Sequence, residues 1–138
     1  MISRVLACLL TLCICQSAQA FSEHYACEVK QVIQFDDQGR LKKTFVAFEQ
    51  LVGKSFIVNR ATGKLNGDNG YLNTGEYERT EVISDGKQLN DFKSIAVGRP
   101  PTSTVTYIHI QEVAIAEGKQ KPFSLAVDRS LIISGTCK

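Results

Sequence analysis

The 138-residue chain contains no tryptophan, only three prolines and a single methionine, at position 1. Without tryptophan it lacks the commonest stacking residue for sugars. It lacks a charge excess as well: the formal net charge is +2. That balance gives no electrostatic case for nucleic acid or an anionic membrane surface. Lys42-Lys43 is the one basic pair and reads as solvated surface. No stripe of alternating basic and aromatic residues suggests single-stranded nucleic acid.

Catalytic patterns are missing too. There is no G-x-S-x-G for a serine nucleophile, no H-E-x-x-H for zinc, and no Gly-rich phosphate loop ahead of a helix. The two histidines, His24 and His109, are far apart in sequence, and a lone histidine in a strand is read as structural. Glu78 and Glu81 would lie on opposite faces of an extended strand. The loop NGDNGYLNTGEYE (66–78) offers oxygens but fails the EF-hand pattern. Counted from Asn66, its fifth, sixth and twelfth positions are Gly70, Tyr71 and Tyr77. The expectation is therefore no enzyme, no catalytic residue, no cofactor and no metal.

What is present begins with an address. In MISRVLACLLTLCICQSAQA (1–20), Arg4 precedes an apolar run from Val5 to Ile14, and Ala18-Gln19-Ala20 supplies a small-x-small site. This is the pattern of a secretory signal peptide. The run is short for a bilayer span, so an uncleaved anchor is the weaker reading. Cys8 comes too early for a lipoprotein site, and Cys13 and Cys15 follow Leu and Ile. The expected product starts at Phe21 and forms one domain, residues 21–138, in the periplasm or outside the cell. No later segment is apolar enough for a membrane span.

Of the five cysteines, Cys27 and Cys137 lie beyond the signal. An exported chain with an even number of cysteines most often pairs them. Two free thiols, or a metal pair built on His24-x-x-Cys27, are weaker alternatives, since zinc wants four ligands.

The pattern after residue 24 is β. In YACEVKQVIQF (25–35), Tyr25, Cys27, Val29, Gln31, Ile33 and Phe35 share one phase, mostly apolar, and the other phase is mostly polar. Asp36-Asp37-Gln38-Gly39 then turns the chain. SFIVNR (55–60) and KLNG (64–67) flank the turn Ala61-Thr62-Gly63. YERTEVIS (77–84) precedes Asp85-Gly86, a hairpin signal, and LNDFKSIAVG (89–98) follows. Arg99-Pro100-Pro101 must interrupt pairing. In STVTYIHIQEVAIA (103–116) the apolar phase passes through Ile108 and Ile110, then switches to Val113 and Ile115. That slip predicts a bulge near Gln111-Glu112. PFSLAVD (122–128) points Phe123, Leu125 and Val127 inward, and LIISGTCK closes the chain with Leu131, Ile133 and Cys137 in phase. TFVAFEQLVGK (44–54) differs. Phe45, Phe48, Leu51 and Val52 have helical spacing, with Thr44 as cap and Gly53 as stop. It reads as a short helix plugging one end of the sheet, or alternatively as a strand through Leu41–Phe48.

Together these elements predict an all-β fold. It is an antiparallel meander of about eight strands, closing as a small barrel or stacking as a two-layer sandwich, with at most one short helix. A bond between first and last strands favours closure.

With Tyr25-Ala26-Cys27, FIVNRATGKLNG, KPFSLAVD and SGTCK, the chain resembles small exported proteins of Gram-negative bacteria, a group with no assigned activity. The absence of an Asn-x-Ser/Thr acceptor fits that source. The architecture is also loosely similar to periplasmic C-type lysozyme inhibitors, although their serine-glycine segment before a tyrosine has no counterpart here. With no catalytic pattern in view, the leading expectation is a non-catalytic binding protein, with hydrolase inhibition as one form of it. Such a protein would engage a protein or small apolar ligand through end loops. The alternative is a structural or accessory envelope protein with no discrete ligand. Binding positions expected on the loops are Tyr71 and Leu72, and Arg99 beside the two prolines.

Overall fold

The computed structural model describes residues 22–87, 91–112, 120–128 and 130–138. The expected signal segment, Val113 and Ile115 lie outside the described residues. The chain forms nine antiparallel strands in one sheet curled into a half-barrel. The strands are β1 (His24–Phe35), β2 (Leu41–Lys42), β3 (Ser55–Asn59), β4 (Leu65–Gly67), β5 (Arg79–Asp85), β6 (Phe92–Val97), β7 (Val105–Ile110), β8 (Lys121–Val127) and β9 (Leu131–Cys137). A one-turn helix, α1 (Val46–Glu49), and a 3-10 turn at Gly70–Leu72 complete the elements.

The ladder runs β4-β3-β1-β9-β8-β7-β6-β5, with β2 on the outer half of β1. First and last strands are thus neighbours in the middle of the sheet, and β4 and β5 are the ladder's terminal strands. Cys27 and Cys137 face each other directly and form the disulfide. The adjacent residues Ala26 and Lys138 exchange both backbone hydrogen bonds, at 3.1 and 2.9 Å. The cysteines therefore occupy the narrower, non-hydrogen-bonded kind of site, where opposed side chains come closest.

Alternation fills the concave face. Tyr25, Cys27, Val29, Phe56, Val58, Ile108, Ile110, Phe123, Leu125, Val127, Leu131, Ile133 and Cys137 are all buried. The single inward phase expected for β1 does not hold. A bulge at Lys30 shifts the register against β9 between Val29 and Gln31. Beyond it Val32 packs on the core and Gln34 is buried, while Gln31 is exposed and Ile33 and Phe35 are half-buried. One added residue in a two-residue repeat exchanges the faces. Gly135 lies across the bulge, and a Cβ there would collide with the Glu28 carbonyl.

The segment from 44 to 54 combines both readings made of it. Leu41–Lys42 is strand and Val46–Glu49 is helix. Thr44 is not the cap: its hydroxyl is directed at the Val32 carbonyl, 3.5 Å away. The plug is Leu51 and part of Phe48. Phe45 and Val52 remain 60% and 50% exposed. One helical turn cannot bury four residues spread over eight positions.

Candidate functional site

Antiparallel order assigns every connection to one of two ends. At the cysteine end lie the start of β1, the β3–β4 turn and the chain around Gly86. The end of β7 and the start of β8 join them there. At the helix end lie α1, the 3-10 turn after β4 and the loop between β6 and β7.

The cysteine end carries a buried ionic cluster. Glu112 keeps the inward phase of Ile108 and Ile110 beyond the end of β7, and its carboxylate enters the core with a side chain 9% exposed. It accepts a hydrogen bond from the Tyr25 hydroxyl, pairs with Arg60 at 3.3 Å and with Lys121 at 2.8 Å. The Arg60 guanidinium stacks 4.6 Å from the centre of the Tyr25 ring, and the Tyr25 ring packs on Phe92. Arg60 Nη2 also donates to the carbonyls of Asp85 and Gly86, both at 3.0 Å. Arg60 thus reaches from the β3–β4 turn to the chain leaving β5, bridging the two edges that no ladder joins. Burial, and secondly the bond to Glu112, push the Tyr25 hydroxyl well above the ordinary tyrosine range.

His109 belongs to the same end. Its Nε2 lies 2.8 Å from Asp91, whose other oxygen accepts the Glu112 N–H. This places His109 in a bracing role. Each ionic group named here is matched by protein groups, which is how a buried polar network holds its geometry. Beside the cluster, the open seam forms a cleft of about 630 Å³ lined by Asn59, Arg60, Ala61, Val82, Asp85 and Lys87, with Ser22 and Glu23. Four of its lining side chains are charged: Glu23, Arg60, Asp85 and Lys87.

The helix end is different. Leu41, Phe45 and Val46 are 72%, 60% and 67% exposed on one short stretch. Phe45 leans toward Phe48, and Phe48 meets the edge of Tyr71 at 5.2 Å. Lys42 lies over the Phe45 ring. The structure separates the Tyr71–Leu72 pair. Tyr71 is 41% exposed, whereas Leu72 is fully buried and cannot meet a partner. The 3-10 turn explains this: the Asn69 side chain caps the Tyr71 N–H and rolls the two residues to opposite sides. Asn73 holds the other flank through Gly67 and Gly75. The Asn69 and Asn73 side-chain oxygens thus serve the loop's own turns.

Arg99 is exposed on the loop after β6, at the same end as Tyr71. That loop is tied by Gly98 N–H to Thr104 and by Ser103 N–H to Arg99. No hydrogen bond or ring contact joins Arg99 to Tyr71 among the described residues. Sequence reasoning missed Glu112, Arg60 and Lys121. The usable signal was the phase itself, since 112 follows 108 and 110. Among the described residues no group of three metal-ligating side chains converges, and no helix is long and apolar enough to cross a membrane. No family model, no curated protein and no solved structure matches the chain.

Proposed function

We propose that the chain is an exported, non-catalytic binding protein of the periplasm or exterior that receives a protein partner on its helix end. The observation carrying this reading is the exposure of Leu41, Phe45 and Val46 together, next to Tyr71. Three large apolar side chains on one protruding stretch are unfavourable in water and mark interaction surfaces. Exposed side chains of both charges surround it at the same end, among them Lys42, Lys43, Lys54 and Arg99 and also Asp37, Glu49, Asp68, Glu76, Glu78 and Asp128. The fitting partner surface is therefore apolar at its centre with a rim of mixed charge. A photo-crosslinker at position 45 in the exported protein should capture one partner. Phe45→Ser with Val46→Ser should abolish capture by wild-type-positioned probes at Tyr71 while leaving the melting temperature nearly unchanged. Capture unaffected by that double variant overturns the reading.

A further inference from the structure

The cleft at the cysteine end carries a second inference, independent of the helix end. Its walls come from opposite sides of the seam. Glu23, Asn59 and Ala61 stand on the side of β1 and β3, and Val82, Asp85 and Lys87 on the side of β5. Arg60 spans the base between them and is buried. Its Nη2 donates to the Asp85 and Gly86 carbonyls on the far wall, both at 3.0 Å, and its backbone N–H donates to the Glu23 carbonyl on the near wall at 3.0 Å. Behind it, Nη1 pairs with Glu112 at 3.3 Å. One residue thus fixes both walls to the buried cluster. A cleft on such a base is formed before a ligand arrives, which lowers the cost of binding. Its volume, about 630 Å³, falls within the range of small-ligand sites, roughly 300–1,000 Å³.

The lining groups define the ligand. Glu23 is exposed, and its carboxylate makes no ion pair or hydrogen bond among the described residues. It is open to a cation. The Arg60 guanidinium is engaged by the groups just named and by the Tyr25 ring. Lys87 is the cation able to turn toward a ligand. Its pair with Asp85 is an exposed one at 3.4 Å, and Asp85 keeps the Lys87 backbone N–H at 3.0 Å when the ammonium moves. The Asn59 side-chain oxygen accepts from the Thr62 N–H, which leaves its NH2 group to donate to a carbonyl. Ala61 and Val82 add apolar surface. The matching molecule has an ammonium at one end, a carboxylate at the other, a carbonyl between them and an apolar body. In a single amino acid both charges flank one carbon, whereas an extended dipeptide separates them by about 7 Å. We propose that this cleft binds apolar dipeptides with free termini, the ammonium on Glu23 and the carboxylate on Lys87.

Isothermal titration of the oxidised protein with Leu-Leu, N-acetyl-Leu-Leu and Leu-Leu amide tests this. Leu-Leu should bind, and each blocked peptide should bind roughly tenfold more weakly, having lost one charged contact. Glu23→Gln should weaken Leu-Leu by roughly tenfold and leave N-acetyl-Leu-Leu unchanged, because the acetylated peptide lacks the group that Glu23 receives. Lys87→Met should act in the same way toward Leu-Leu and its amide. Both side chains are exposed, and circular dichroism verifies that the variants fold. Failure of Leu-Leu to bind, by heat and by protection against thermal unfolding, overturns the inference. So do equal losses for free and blocked peptides in either variant. Binding that survives both substitutions, or that is lost with Phe45→Ser and Val46→Ser, would also overturn it by placing the peptide elsewhere.

Discussion

At the scale of single residues, the Tyr25 hydroxyl gives the clearest handle. Its proton is held by burial and by Glu112, so folding raises its pKa. Below about pH 10, the ordinary tyrosine value, both folded and unfolded chains keep the proton. Above it the unfolded chain ionises and the folded one does not. Stability therefore falls as pH rises past about 10. Denaturant unfolding followed from pH 8 upward should show this slope (about pH 8 being a starting point where Tyr is neutral in both states). Tyr25→Phe should lose stability at neutral pH, since Glu112 loses a donor, yet show a shallower alkaline decline. An unchanged slope in that variant would assign the decline to other tyrosines. Cys27, Cys137 and the inward residues of β8 and β9 were legible one by one, because each obeys a local alternation. The ionic cluster was not. Its members are separated by dozens of positions, and no pattern within one strand predicts a salt bridge between a turn and a distant strand end.

Among the elements, β1 shows where pattern reading loses its phase. The sequence YACEVKQVIQF alternates without visible interruption, since Gln31 is as acceptable outside as Val32 is inside. The bulge is set by the partner strand, where Gly135 admits the displaced Glu28 carbonyl. Gly135→Ala should thus be strongly destabilising, by about 3 kcal/mol or more, because backbone must move to make room. Thermal unfolding measures it, and a loss below about 1 kcal/mol would show that the bulge yields easily. The contrast is Gly39, where an added Cβ meets nothing but φ is +75°. There the strain is conformational only. The short helix has a similar history. Its spacing was readable, but which of Phe45, Phe48, Leu51 and Val52 would face the core depended on how far one turn extends over β1.

For the whole molecule, the disulfide ties the first and last strands together at the centre of the sheet. It closes a loop of 110 residues. The chain-entropy estimate for such a loop is about 4–5 kcal/mol, a large part of the stability of a small domain. Reduction, or Cys27→Ser with Cys137→Ser, should lower the denaturant midpoint by an amount matching several kcal/mol. Coincident unfolding curves for oxidised and reduced protein would show that β1 and β9 hold without it. The half-barrel also has a seam, and Arg60 and the Gly63–Ser94 contact, with Ser94 Oγ donating to the Gly63 carbonyl, reach across it.

The sequence by itself determined the strands, the turns, the cysteine pair and the β class, because hydrophobic alternation, turn residues and thiol count are local properties. It also placed β1 beside β9, since a disulfide demands proximity. Tertiary structure alone decided which strands end the ladder, where β1 changes face, and that Tyr71 looks outward while Leu72 looks inward. It alone gathered Tyr25, Arg60, Glu112 and Lys121 into one buried cluster. These depend on distances between residues remote in sequence, which are set only when the sheet curls and its ends meet.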